Sequence, residues 1–234
     1  MLPNTRKGSN TMLIVENINI YGWEPAIRGM RNPMNSWAKS DSGYSSQLTI
    51  YGEEYVLGPN DLELAKILVR AGTDHSKFMR MITVTADITA PLYWWKEYDT
   101  YKIATVANSC STMHKITERE FTLDDFSHEH LDQWATATLR ETIRILNIYR
   151  SMYHDRDRYH GDVPDRKTLW WQIIQLLPSS YNQRRTVQLN YAVLRNIYHA
   201  RRNHKLDEWH TFCDAIRNLP YSELITGGEK PCTT

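Results

Sequence analysis

The residues best suited to chemistry lie in a basic stretch of the chain. From Arg166 to Leu206 the sequence contains no Asp or Glu. Its cations are Arg166, Lys167, Arg184, Arg185, Arg195, Arg201, Arg202 and Lys205. Guanidinium groups bind phosphate oxygens in pairs, so the stretch fits a wall for a polyanion such as a nucleotide phosphate. The alternative is two solvated faces that pair with each other, because residues 118–132 are acidic.

Other reactive side chains form less specific patterns. His128 with His130, and His199 with His204, lack a matching third ligand, so no metal site is predicted. Cys110 precedes His114 by four residues, but an ordinary thiol is expected there. The sequence contains no glycine-rich dinucleotide fingerprint, P-loop or GxSxG motif.

The aromatic residues favour types that carry a polar atom, with 8 Trp and 14 Tyr against 4 Phe. One interpretation is amphipathic packing together with subunit contacts. The other is stacking on a flat ring, such as a base, a flavin or a pterin. The composition does not decide between the two.

Alternating and periodic patterns predict the elements that position these residues. Residues 12–20 and 80–89 are predicted strands, and residues 102–107 are either a strand or an extended loop. Asn60 is predicted to cap a helix that ends at Gly72, and Pro91 to start a short aromatic helix. Apolar spacing predicts a helix of about six turns from residue 129, and further helices over 165–175 and 206–217.

A further long helix is predicted around Val187, Tyr191, Leu194 and Tyr198. On such a helix Asn190 and Arg201 share one face and lie about 16 Å apart, a span that suits a large ligand. Asn196 points elsewhere, toward another part of a ligand or another subunit.

The composition indicates an ordinary globular protein. The chain has 234 residues, is 41% hydrophobic and 24% charged, and has a net charge of +1, which predicts no general attraction to nucleic acid or membranes. Three unpaired cysteines and the absence of an apolar segment of about 20 residues predict a cytoplasmic protein. The predicted organisation is a flexible tail over 1–11, a single α/β domain over 12–220 and a mobile tail over 221–234.

Two segments together resemble the flavin-dependent thymidylate synthases. The first reads LVRAGTDHSKFMR, then MITVTADITAPLYWWKEYD, then TYKIATVANSCSTMH. It resembles the family's helix, strand, Ala-Pro step into a helix, and the signature that follows. Thr100, Tyr101 and Lys102 stand where the family has Arg-His-Arg. Such departures are typical of a divergent member, for example a viral one.

The second segment, residues 177–216, resembles the family's C-terminal pattern of a Leu-Pro, a helix with two Asn and a late Arg, and an acidic-aromatic helix. The resemblance implies a mixed, largely antiparallel α/β fold with long C-terminal helices. It assigns FAD binding to Asn190, Asn196, Tyr101, Lys102 and Asn108. It assigns nucleotide binding to Glu97, Ser109, Ser111 and Arg201, with Arg201 also the catalytic residue that activates the uracil ring.

The resemblance further implies reductive methylation of dUMP or a related pyrimidine nucleotide. Methylenetetrahydrofolate supplies the carbon, FAD is the cofactor, and NADPH reduces the flavin. The sites lie between subunits of a homotetramer. Two alternatives stay open: a non-catalytic flavin- or nucleotide-binding relative, and a nucleic-acid-binding protein, against which the near-neutral charge argues.

Overall fold

The structure is a computed structural model that describes residues 13–45, 54–111 and 115–228. In chain order its strands are β1 (Ile14–Tyr21), β2 (Gly43–Tyr44), β3 (Tyr55–Val56), β4 (Thr83–Pro91), β5 (Val106–Ser109) and β6 (Asn182–Asn190). Its α-helices are α1 (Trp23–Arg31), α2 (Pro59–Arg70), α3 (Leu92–Tyr98), α4 (Gln133–His154), α5 (Arg166–Leu176), α6 (Tyr191–Arg201), α7 (Asp207–Arg217) and α8 (Glu223–Thr226).

An antiparallel sheet with the strand order β1-β4-β6-β5 organises the described residues. The longest pairing joins β4 to β6, with Val84 opposite Leu189 and Ala86 opposite Val187. On β4 every second side chain is buried, which is the pattern of a sheet with one covered face. The prediction of a mixed α/β fold with a largely antiparallel sheet and C-terminal helices is confirmed.

Apolar residues of β1, β4 and β6 form one core with α1, α2, α3, α6, α7 and α8. A second apolar cluster joins α4 and α5 to the segment around Phe121 and Phe126. In α4 the buried residues Leu139, Ile143 and Leu146 recur at helical spacing. The sequence predicted this helix from residue 129, but Asp132 caps it, so Leu131 precedes it and is exposed.

Several predicted boundaries are wrong. Helix α2 begins at Pro59 with Gly58 as its N-cap, so Asn60 lies inside the first turn. Strand β4 begins at Thr83, because Lys77–Arg80 form a 3₁₀ turn. The tail predicted from residue 221 includes the helix α8, whose Leu224, Ile225 and Thr226 are buried against the core. Residues 1–12 and 229–234 lie outside the described part of the chain.

The predicted long helix around residue 187 is a strand followed by a helix. Residues up to Asn190 pair with β4, and α6 begins only at Tyr191. The segment 102–107, which was predicted as a strand or a loop, becomes the edge strand β5 only from Val106. Within the described ranges, no helix is long and apolar enough to cross a membrane.

Candidate functional site

Three side-chain nitrogens converge on one carboxylate oxygen at the end of α3. The Nη1 of Arg201 lies 2.8 Å from Glu97 Oε2, and the indole Nε1 of Trp209 lies 3.0 Å from the same atom. The Nε2 of His204 lies 3.3 Å away. The phenol oxygen of Tyr101 accepts a hydrogen bond of 2.9 Å from Arg201 Nε. We call these five residues the Glu97 cluster.

The cluster assembles where α3, α6 and α7 meet. Glu97 lies in the last turn of α3, and Tyr101 follows that helix by three residues. Arg201 is the last residue of α6, and Trp209 lies in the first turn of α7. Trp209 packs against the buried ring of Trp94, with ring centroids 4.7 Å apart. A rigid aromatic base therefore supports the polar groups.

The cation of Arg201 is held in a partly buried position. Its side chain is 19% exposed, and its guanidinium carbon lies 4.9 Å from the ring of Trp209 and 5.6 Å from that of Tyr101. Stacking on aromatic rings and pairing with a carboxylate both suit the planar guanidinium better than an ammonium group. Arg201 is thus oriented by neighbours on α3, on the segment that follows α3, and on α7.

A backbone hydrogen bond orients the ring of His204. The backbone N–H of Leu206 lies 3.2 Å from His204 Nδ1, so that nitrogen accepts. The proton of the neutral ring is then on Nε2, which faces Glu97. His204 therefore presents Nε2 to the carboxylate at 3.3 Å.

The other arginines of the basic stretch are mostly paired within the chain. Arg184 bridges to Asp87 at 2.7 Å, and Arg185 to Asp99 at 2.7 Å. Arg195 donates to the backbone carbonyls of Leu224 and Ile225 in α8. Hydrogen bonds from Thr186, Asn17 and Arg184 lower the pKa of Asp87 to about 2.

These pairings correct the prediction of a continuous basic wall. They also correct its alternative, because the acidic partners of Arg184, Arg185 and Arg201 come from β1, β4 and the C-terminal end of α3 and not from residues 118–132.

Asn190 and Asn196 do not lie on one helix in the predicted way. Asn190 ends β6, is buried, and caps α6 through a 3.0 Å hydrogen bond from the backbone N–H of Val193 to its Oδ1. The predicted face shared by Asn190 and Arg201 on a single helix is therefore wrong. Asn196 lies within α6 and is exposed. Its position, about 140° around the helix from Arg201, keeps it off the Glu97 cluster.

Replacement of Asn190 by alanine is expected to lower the free energy of unfolding by about 1 kcal/mol, because the helix loses its N-cap. The control is Asn196→Ala on the same helix, which should change that free energy by less than about 0.5 kcal/mol. Urea denaturation measures both values. Equal losses in the two variants would show that the Asn190 cap contributes nothing special.

The remaining predicted residues lie on β5 and in the segments just before and after it. Lys102 is exposed, and so are Asn108 and Ser109 on β5. Ser111 is half-buried and lines a separate cleft of about 660 Å³. The fold thus brings Glu97, Tyr101 and Arg201 together, while the Ser111 end of the signature lines a cleft that none of these three residues lines.

Sequence reasoning missed two members of the Glu97 cluster. His204 follows Arg201 by three residues, and Trp209 opens the helix predicted over 206–217. Neither matches a residue of the quoted signature, so only the packing of α7 against α3 identifies them. In the described ranges no group of three or more His, Cys, Asp or Glu could hold a metal ion. Cys110 is exposed, while burial raises the pKa of the Cys213 thiol to about 12.

The chain matches known proteins in fold but not in sequence. No protein-family model matches the chain, and no curated protein is similar to it in sequence. Solved structures are similar. Thymidylate synthase X (ThyX) from Helicobacter pylori, in a structure with FAD and dUMP, has a TM-score of 0.61 and 16% identity over 91% of this chain and 95% of that chain.

A second structure, the flavin-dependent thymidylate synthase ThyX from Helicobacter pylori complexed with FAD and dUMP, has a TM-score of 0.65 and 15% identity. That comparison covers 92% of this chain and 99% of the other. Identity at this level establishes architecture and not chemistry. The chain therefore has the fold of the flavin-dependent thymidylate synthases.

Proposed function

We propose that the chain binds FAD and a pyrimidine nucleotide, and that it catalyses the reductive methylation of dUMP or a related nucleotide. One observation carries the proposal. Glu97 and Tyr101 were assigned from one segment and Arg201 from another about 100 residues away, and Arg201 donates hydrogen bonds to both side chains. The similar ThyX structures contain FAD and dUMP, which supports the same ligand classes here.

In this proposal Arg201 is the catalytic residue. Its planar donor group would bind the nucleotide, at a ring carbonyl or at the phosphate. At the ring carbonyl it would stabilise negative charge that develops on the ring, an electrostatic effect of fixed donors. Tyr101 and Trp209 orient the guanidinium. Ser109 and Ser111, which are not members of the Glu97 cluster, would supply neutral hydrogen bonds to the nucleotide from another subunit.

The donor set fits a flavin nucleotide. Asn196 and Asn108 present exposed amides, which both donate and accept, and Lys102 presents an exposed cation near Tyr101. Asn196, Asn108, Lys102 and Tyr101 would hold FAD, which when bound and reduced would supply hydride. Asn190 would act on the flavin only through the position of α6, because its own side chain oxygen caps that helix.

The other reactants would be those of the reaction that the resemblance implies. Methylenetetrahydrofolate would supply the carbon and NADPH the reducing equivalents. Asn196 and Arg201 lie on different sides of α6. A ligand that contacts both would therefore lie between Asn196 of one subunit and Arg201 of another subunit of a homotetramer. The protein would be a divergent relative, for example a viral one, working in the cytoplasm.

A non-catalytic flavin- or nucleotide-binding protein is the second candidate. It is favoured by the pairing of Arg201 with Glu97, which already neutralises the proposed catalytic cation. Purified protein tests both candidates, because a flavin absorbance band or reconstitution with FAD is expected for either. Growth of a thymidine-requiring host on the gene is expected only for the enzyme.

Replacement of Arg201 by lysine is expected to weaken dUMP binding by roughly tenfold to a hundredfold, since charge-assisted hydrogen bonds contribute about 1.5–3 kcal/mol. Lysine keeps the charge but loses the planar fork. Arg185→Lys is the matched control, because Arg185 also pairs with a carboxylate and stacks on an indole, that of Trp95. Calorimetry measures both, and identical affinities in the two variants would contradict the role of Arg201.

A further inference from the structure

We infer that Glu129 binds a proton that closes the contact between the segment before α4 and the helices α3 and α7, and that this contact opens when Glu129 ionises. The side chains involved form a chain of oxygen atoms. The phenol of Tyr93 donates a hydrogen bond to Glu208 Oε1 and lies 3.0 Å from Ser127 Oγ. Ser127 Oγ lies 2.9 Å from Glu129 Oε2. We call these four residues the Tyr93 chain.

The Tyr93 chain joins two parts of the fold. Tyr93 lies in the first turn of α3 and Glu208 in the first turn of α7, and the apolar residues of both helices belong to the main core. Ser127 and Glu129 lie between Phe126, which belongs to the second apolar cluster, and the start of α4. The protonation of the chain therefore bears on how the second cluster docks against the main core.

The hydroxyl protons of the Tyr93 chain are too few for its contacts. Three oxygen–oxygen contacts link the four side chains, and the two hydroxyl groups supply one proton each. Burial and the hydrogen bond to Glu208 raise the pKa of Tyr93, so the phenol keeps its proton. With both carboxyl groups ionised, one contact would join two oxygen atoms with no proton between them. A third proton, held on a carboxyl group, gives every contact a hydrogen bond.

The surroundings of the two carboxyl groups place this proton on Glu129. Within the described residues, Glu129 Oε1 is buried and has no hydrogen-bond partner, which is more unfavourable for a charged carboxylate than for a neutral acid. Glu208 lies in the first turn of α7, where the helix dipole favours a negative charge. The hydrogen bonds then run in one direction, from Glu129 through Ser127 and Tyr93 to Glu208.

Cations do not neutralise the two carboxyl groups. Across the described ranges, neither Glu129 nor Glu208 forms an ion pair with a Lys or Arg side chain. Glu97, one turn after Tyr93 on α3, is itself paired with Arg201. Two linked carboxyl groups without a cation favour the state in which one of them is protonated.

Histidines surround the Tyr93 chain but make contacts elsewhere. His128 Nδ1 lies 2.7 Å from the carbonyl oxygen of Phe126. His130 Nε2 and His210 Nδ1 lie 3.3 and 3.5 Å from the two carboxylate oxygens of Asp207. These two contacts are ion pairs only when the histidines are protonated, so they also depend on pH. Replacement of Asp207 by asparagine separates their contribution from that of Glu129.

The proton on Glu129 determines the sign of the pH dependence. Above the ordinary range of a glutamic acid, about pH 4.3, Glu129 of the unfolded chain is ionised while that of the folded chain keeps its proton. The folded state then binds one proton more, so stability falls as the pH rises. The equilibrium constant for unfolding rises by up to about tenfold per pH unit until Glu129 ionises in the folded chain.

Urea denaturation of the full chain from about pH 5 to about pH 8 tests the inference. Glu129→Gln keeps the shape, and its amide N–H replaces the acid proton at every pH. We expect the wild-type protein to lose stability across the series, and Glu129→Gln to lose much less. Asp207→Asn is the matched control, because it removes a neighbouring carboxylate outside the Tyr93 chain, and it should keep the wild-type slope.

Carbon-13 NMR of the wild-type protein gives a second reading that needs no variant. At about pH 6 the side-chain carboxyl resonance of Glu129 should have the position of a neutral acid, and that of Glu208 the position of a carboxylate. The N–H of Ser127 donates to the carbonyl of Ser180 at 2.8 Å. Its protection against hydrogen exchange, corrected for the intrinsic rate, should fall as Glu129 ionises.

Each opposite result overturns the inference. A wild-type slope that persists in Glu129→Gln, or that disappears in Asp207→Asn, would assign the pH dependence to other groups. A Glu129 resonance at the carboxylate position at about pH 6 would show that no proton is held there. Unchanged protection of the Ser127 amide would show that ionisation does not open the contact.

Discussion

Replacement of Asp61 by asparagine is expected to lower the free energy of unfolding by about 3–5 kcal/mol, the range for a buried ion pair that loses one partner. Asp61 is fully buried, and its carboxylate accepts hydrogen bonds from Arg31 Nε at 2.5 Å and from the hydroxyls of Ser40 and Ser42 at 2.7 Å. Asparagine keeps the shape but leaves the buried Arg31 cation unpaired. Urea denaturation measures the loss.

The same carboxylate gives a pH signature. Burial raises the pKa of Asp61, but hydrogen bonds from Ser42, Ser40 and Arg31 outweigh burial and lower the pKa from 3.8 to about 2. Since the pKa is lower in the folded state, Asp61 stabilises the fold fully above about pH 4, and this contribution is lost as the pH falls toward 2. Wild-type protein should therefore lose more stability than Asp61→Asn across that window.

A surface pair provides the control for Asp61. Glu141 pairs with Arg144 at 2.7 Å on the exposed side of α4. Glu141→Gln should leave the free energy of unfolding nearly unchanged, because water screens exposed pairs. If both variants lose the same stability, or if Asp61→Asn keeps the acid slope of the wild type, the importance of the buried pair is refuted.

Replacement of Trp94 by alanine is expected to cost about 3–5 kcal/mol, the range for emptying the site of a large buried aromatic residue. Trp94 is fully buried, with ring centroids of Trp95 and Trp209 at 4.9 and 4.7 Å. Trp134→Ala is the control, because Trp134 is 75% exposed. Thermal and urea denaturation of the two variants give the comparison, and similar losses would contradict the role of Trp94.

A phenylalanine at position 94 should cost far less than alanine. In the described part of the chain the indole N–H of Trp94 has no hydrogen-bond partner, so phenylalanine removes an unsatisfied donor along with some volume. Trp209→Phe should cost more, because it also removes the hydrogen bond to Glu97. The reverse order would show that the two indoles do not differ as their hydrogen bonds indicate.

The sequence predicts the elements with strong periodicity and misses those where few apolar residues carry the pattern. Strand β4 alternates cleanly and was predicted within a few residues of its start. In β6 only Val187 and Leu189 are buried apolar residues, and Gln183 takes a third buried position. Tyr191 and Leu194 follow at helical spacing, which extended the predicted helix back into the strand. Pairing with β4 decides the strand, and pairing is not visible in local sequence.

The residues of the candidate site were also only partly predictable from the sequence. Glu97, Tyr101 and Arg201 could be found from their places in two ordered segments. His204 and Trp209 could not, because their role depends on how α7 packs against α3. The buried positions of Trp94 and Trp209 favour the packing interpretation of the aromatic excess, and Trp209 adds a polar contact that composition alone cannot reveal.

The direct junction between β6 and α6 ties the tilt of a strand to the position of Arg201. Asn190 ends the strand and Tyr191 begins the helix, with the Tyr191 N–H bonded to the carbonyl of Ile82 at 3.0 Å. The 11-residue helix spans about 16 Å, so a tilt of about 5° at Asn190 moves Arg201 by about 1.4 Å. Misplacement by about 1 Å can lower an enzyme's rate a hundredfold. Small changes in the twist of the sheet, far from any ligand, would therefore displace the guanidinium of Arg201.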